Sequence, residues 1–109
     1  MNKTPIDDPI ASIELLWIHK DGRETLISAK VGRPYKFNDI SWACPCELLG
    51  VDGRYPDMRG FGSMQALGVS LSLIKARLDH LLEKDENLCF ADERENRLDQ
   101  AFLESTFGK

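Results

Sequence analysis

Apolar residues recur along this chain with two different periods. From Ile10 to His19 they alternate, with Ile13, Leu15, Trp17 and His19 on one side and Ser12, Glu14, Leu16 and Ile18 on the other. Successive side chains of a strand point to opposite faces, so the stretch predicts a strand. Apolar residues on both sides predict that it is central or tightly covered. Asp21-Gly22 follows, a pair that favours a hairpin turn. Glu24 to Val31 alternates again, Leu26 and Ser28 against Ile27 and Ala29, and reads as the return strand, ended by Gly32-Arg33-Pro34. A third strand is predicted from about Ile40 to Leu49, with Trp42, Cys44, Cys46 and Leu48 on one face. Pro45 has no N–H to give to a ladder, so this strand is expected at a sheet edge or with a bulge.

After Gly60 the period changes. Met64, Leu67, Leu71, Ile74, Leu78, Leu81 and Leu82 recur at three- and four-residue steps, the spacing of one helix face. Ser63 is the expected N-cap, and Gly60 and Gly62 let the chain bend into the first turn. Asp85 and Glu86 would sit against the negative end of the helix dipole, so the helix should stop near Lys84, after about 33 Å. A second stripe, Ala66, Val69, Leu73 and Ala76, runs along nearly the opposite side of its first half. The C-terminal segment is expected to cover that stripe, in preference to a partner chain. Leu88 to Ala91 reads as a short fourth strand. Asp92 with Glu95 three residues on matches a capping box, so a second helix is expected from there, carrying Leu98, Ala101 and Phe102 and stopping at Gly108. The sum is β-β-β-α-β-α: an α+β, two-layer fold with a three- to four-stranded, mostly antiparallel sheet and both helices on one side. Residues 1–9, with Pro5 and Pro9, are expected to be a flexible arm, and residues 10–109 a single domain.

Composition narrows the class of protein. A chain of 109 residues, 42% of them hydrophobic, can bury a core without metal or disulfides. The net charge of −4 disfavours a nucleic-acid partner, whose phosphates call for cations. The charge is uneven: residues 20–77 hold an excess of Lys and Arg, and residues 78–109 an excess of Asp and Glu. The chain lacks an apolar run of membrane-spanning length and an apolar secretory signal. Three cysteines, an odd number, suit a reducing compartment. A cytoplasmic protein with no membrane partner is expected, as monomer or homodimer.

The candidate chemistry is sparse. Cys44 and Cys46, with Cys89 and either His19 or His80, would make a zinc site. Structural zinc sites usually separate a ligand pair by about two to four residues, however, and here there is one. Both cysteines run in phase with Trp42 and Leu48, so they are expected in the core, reduced and metal-free. A redox pair would read Cys-x-x-Cys, which the chain lacks. Gly60-x-Gly62 ahead of a helix, with Arg54 and Arg59 near in sequence, resembles an anion cradle. Gln65 replaces the third glycine of a dinucleotide fingerprint, and the loop reads better as one shaped to start the helix. Gln65 itself is expected to bond backbone in that loop. No catalytic residue and no cofactor is expected. Arginines and aromatic residues interleave in the two long loops, and these are the types that anchor interfaces. Arg33, Tyr35, Arg54, Tyr55, Arg59, Gly60, Gly62 and Ser63 are therefore the expected binding residues, with Lys36, Phe37 and Phe61 among them.

Trp42-Ala43-Cys44-Pro45-Cys46-Glu47-Leu48-Leu49-Gly50, followed by Arg59-Gly60-Phe61-Gly62-Ser63-Met64-Gln65-Ala66-Leu67, resembles a small uncharacterised bacterial domain family, a domain of unknown function. In that family a tryptophan–cysteine strand leads through a loop to a Gly-x-Asp-Ser-x-Gln-Ala-Leu helix start. The resemblance covers roughly residues 40–82. Gly62 stands where the pattern has Asp, which removes any carboxylate role there. The resemblance implies no activity. It implies a stand-alone bacterial domain of the sort met among immunity-type and other small interaction proteins. The reading favoured is a non-enzymatic protein-interaction domain, immunity-type or accessory, that binds another protein through its loops or its acidic C-terminal part. The alternative is a small-ligand or anion binder, an enzyme included, that uses the Gly60–Ser63 loop.

Overall fold

The computed structural model describes residues 3–109. Strands β1 (Ala11–Ile18) and β2 (Glu24–Val31) form the expected hairpin, paired from Ala11 opposite Val31 to Ile18 opposite Glu24. Gly22 turns with φ +91°, and the His19 N–H closes the loop onto Arg23 O at 2.8 Å. The architecture is α+β with antiparallel pairing, as predicted, but the strands divide into two sheets. The first has five strands. Moving across it, β6 (Gly53–Arg54), β5 (Cys46–Leu49), β2, β1 and β8 (Asn87–Cys89) lie side by side. The second has three, in the order β3 (Tyr35–Lys36), β4 (Trp42–Cys44) and β7 (Met58–Gly60).

The predicted third strand is therefore corrected. It breaks at Pro45 into β4 and β5, which belong to different sheets, and both halves have neighbours on either side. Val31 pairs with Cys46 and Tyr35 with Ala43, so residues 32–34 face only residues 44–45. One extra residue on one side of a ladder is a bulge, and a bulge bends the ribbon. Gly32 donates its N–H to Pro45 O at 2.9 Å. A Cβ at Gly32 would lie 3.2 Å from the Pro45 ring, so the corner is closed tightly.

Helix α1 (Ser63–Glu83) spans both sheets. Its buried line is Ala66, Ser70, Ile74, Leu78 and Leu81. Ile74, Leu78 and Leu81 join the core of the first sheet, with Leu15, Ile27 and Leu48. Ala66 lies on the second sheet, where a Cβ on Gly60 would come within 2.5 Å of the Ala66 nitrogen. This close approach rotates the helix from the predicted setting. Met64, assigned to the core stripe, is 85% exposed, and Ala66, assigned to the second stripe, is fully buried. Val69 and Ala76 remain exposed while Leu73 is half-buried against the core, so the second stripe is not covered along its length. The helix ends where expected. Asp85 takes the left-handed conformation at φ 61°, and Asp85 and Glu86 donate back to Leu82 O and Leu81 O, each at 3.0 Å. That is the paired closure of a Schellman turn, with Asp in place of the usual Gly.

Helix α2 (Gln100–Phe107) begins later than the capping-box reading placed it. Asp99 is its N-cap, accepting from the Phe102 N–H at 3.0 Å. Leu98 donates to Leu88 O at 2.7 Å, which ties residues 91–98 to the β8 edge as a string of turns. The helix packs beside α1, with Leu103 fully buried and Phe102 edge-on to Phe90 at 5.5 Å. Ile74→Ala should cost about 2–5 kcal/mol, the range for emptying a packed core site. Met64→Ala should cost about 0.5 kcal/mol or less, as for other exposed positions. Urea denaturation of the two variants checks the helix setting.

Candidate functional site

The β3–β4 turn and the start of α1 lie together because β4 pairs with β7, with Trp42 opposite Gly60. Asn38 organises the turn. Its Oδ1 accepts from Ile40 N at 2.9 Å, Ser41 N at 2.8 Å and Ser41 Oγ at 2.9 Å, and Phe37 N–H donates to Ser41 O at 2.9 Å. An Asn side chain used in this way mimics backbone and fixes a tight turn. The turn leaves Ile40 73% exposed. Gly62, in extended conformation, is the N-cap of α1, and no side chain caps the helix; the predicted cap, Ser63, is its first residue. Gln65 reaches back as expected, its Oε1 accepting from the Phe61 N–H at 2.6 Å. Phe61 is 81% exposed and Met64 85% exposed. Arg59 places its guanidinium 3.3 Å from the centre of the Phe37 ring, a cation–π contact. The result is a tip with exposed apolar residues on two segments, Phe37 and Ile40 on the turn and Phe61 and Met64 at the helix start, with Arg59 on the Phe37 ring.

The predicted binding residues divide among several surroundings. Arg59, Gly60, Gly62 and Ser63 belong to the tip. Arg33 is exposed at the ribbon corner. Tyr35 donates its hydroxyl to Asp57 Oδ2 at 2.6 Å, and Thr4 donates to the same carboxylate through its N–H, at 3.0 Å, and its hydroxyl. Residues 4–9 form neither helix nor strand, yet this contact ties Thr4 to the second sheet. Arg54 lies 3.9 Å from the buried Glu47. Tyr55 donates to Asp52, which also receives Arg77 through Nε at 2.7 Å and Nη2 at 3.3 Å. The Arg77 bond, ahead of that from Tyr55, holds the Asp52 carboxyl below its usual range, while burial and the bond to Asp52 push the Tyr55 hydroxyl well up. Arg54 and Tyr55 thus brace the first sheet and α1, away from the tip. Ile40 and Met64 were missed as surface anchors. Asn38-Asp39, two turn formers, were the signal that Ile40 sits in a turn rather than a strand.

The thiols are packed groups. Cys44, Cys46 and Cys89 are free and fully buried. Burial raises all three above the usual thiol range, Cys46 to about 11. A protonated thiol is a poor nucleophile and metal ligand. Among the described residues, no three His, Cys, Asp or Glu side chains gather where they could hold a metal. His19 stacks on Trp17 at 4.1 Å, and its Nε2 bonds Thr25 Oγ1 at 2.7 Å. Among the described residues, no helix is long and apolar enough to cross a membrane.

Fold and site together define a small α+β domain, two antiparallel sheets closed by one helix, with an apolar tip at the helix start. The chain belongs to the family described as a domain of unknown function, DUF6968, whose match spans residues 14–101. The resemblance to an uncharacterised domain family is thereby established. No curated protein and no solved structure matches the chain.

Two predictions follow from the polar contacts and the thiols. Asp52 has a depressed folded pKa, so its bond to Arg77 stabilises the fold above the unfolded Asp value of about 3.9 and is lost as pH falls through the folded value. Asp52→Asn should destabilise at neutral pH, and the difference from wild type should vanish in acid; urea titrations across that range measure it. Thiol labelling at neutral pH should be slow for all three cysteines in the native protein and fast in denaturant, as read by mass spectrometry.

Proposed function

We propose that this chain is a bacterial, cytoplasmic, non-enzymatic protein-interaction domain of immunity-type or accessory kind, and that it docks through the tip. The observation behind this reading is the exposure of Phe37, Ile40, Phe61 and Met64 on a turn and helix start held by side-chain hydrogen bonds. Aromatic residues, Met and Arg are the types enriched at protein interfaces. A rigid turn also limits the ordering cost of binding. The small-ligand or anion reading draws on the same place, because no side chain caps α1 and its first turn has no acid. Arg59, the nearest guanidinium along the chain, lies over Phe37 instead, so the protein reading is the stronger.

Affinity capture from the source cell, followed by mass spectrometry, tests it. Wild type should retain a protein that the Phe61→Ser/Met64→Ser variant loses at unchanged melting temperature. Equal capture by both would remove the tip from the interaction. A nucleotide or phosphosugar that raised the melting temperature strongly would move the function to the ligand reading, since binding to the folded state alone stabilises it.

A further inference from the structure

The charges around the tip narrow the kind of partner. Residues 33–65 contain four carboxylates, Asp39, Glu47, Asp52 and Asp57. Three are engaged. Asp57 receives Tyr35 and Thr4, Asp52 receives Arg77 and Tyr55, and Glu47 is buried beside Arg54. Only Asp39 remains to face solvent uncompensated. On the other side, Lys36 is exposed and has no ion-pair partner among the described residues, and Arg59 meets a ring rather than a carboxylate. The start of α1 adds the partial positive charge of its dipole, with no acidic residue in the first turn to offset it. At the tip, Lys36, Arg59 and the helix start therefore outweigh Asp39, which makes the rim positive.

We infer that the partner is an acidic protein segment carrying large apolar side chains, which seat on Ile40, Phe61 and Met64 while its carboxylates meet Lys36 and Arg59. This rests on the protein-interaction reading and adds the chemistry of the partner. A second copy of the chain fits poorly in either orientation. Tip against tip opposes like charges, which costs affinity. The acidic C-terminal part of a second copy offers carboxylates without anchors, because among the described residues the exposed large apolar side chains all lie between Ile10 and Val69. Charges at the rim of an interface act chiefly through the association rate and its salt dependence.

The test pans the full-length protein against a random peptide library displayed on phage and titrates the enriched peptides into isotope-labelled protein. Enriched peptides should combine Asp or Glu with large apolar residues and shift the amide signals of residues 36–42 and 59–65. Lys36→Glu/Arg59→Glu should weaken them by about tenfold or more, as should high salt, at unchanged melting temperature. Tip-binding peptides without acidic residues, indifferent to the charge reversal, would overturn the acidic partner and leave the tip as the docking surface. Peptides that bind elsewhere, or no enrichment over bare support, would overturn both readings. A wild-type dimer in sedimentation that Phe61→Ser converts to a folded monomer would overturn the inference in favour of a second copy.

Discussion

A single helix has to close two sheets, and the rest of the molecule follows from how it does so. The sheets diverge because the long ribbon made by β2–β3 and β4–β5 bends at Gly32 and Pro45. A straight helix can lie on both only if one contact is close and the other deep. The close one is Ala66 on Gly60, two of the smallest residues, with no room for an added Cβ. The deep one is Ile74, Leu78 and Leu81 in the aliphatic core of the first sheet. Between them Ser70, fully buried, shares its hydroxyl between Ala66 O at 3.1 Å and Cys44 O at 3.4 Å. It meets the carbonyl of the last β4 residue, just before Pro45. A buried hydroxyl needs such partners, and an aliphatic side chain there would leave that carbonyl without this bond.

The tip is a consequence of this arrangement. The second sheet has three short strands and can bury little by itself. The helix covers one of its faces through Gly60 and Cys44, and Thr4 is bound to Asp57 beside the Tyr35 hydroxyl. What lies beyond the strand ends, the 37–41 turn and the first turn of α1, has no further helix or strand packed on it among the described residues. Its apolar side chains stand in water, yet its backbone is held by Asn38 and Gln65. An exposed apolar surface on a fixed scaffold is what a docking site needs, because little conformational entropy is lost when a partner arrives.

Much of the plan was legible from local chemistry. Alternation placed β1 and β2, Asp21-Gly22 placed their turn, and the helix period placed α1 to within a residue at each end. These signals are local because strand and helix periods differ and because Gly tolerates the turn conformations. The antiparallel α+β class and the burial of Cys44 and Cys46 came from the same periodicity. Gln65 bonding back into the loop followed from its place in the first helical turn.

The remainder depended on contacts between residues far apart in sequence. Periodicity says that a helix has an apolar face, but the angle at which it sits is decided by its neighbours. Gly60 drew Ala66 inward and left Met64 in solvent. Pro45 announced a disturbance in its strand; that it separated two sheets depended on Gly32, which it meets across the ribbon. The start of α2 moved to Asp99 because Leu98 was bound at the β8 edge, a pairing that no capping signal at Asp92 could foresee. Arg54 and Tyr55 looked like interface residues by type, but Glu47, Asp52 and Arg77 engaged them elsewhere. The sequence by itself determined which segments became strands and helices, because those choices are made over a few neighbouring residues. Only the tertiary structure decided which apolar side chains were buried and which were left at the tip, because burial is set by which distant surfaces lie within van der Waals distance in the folded chain.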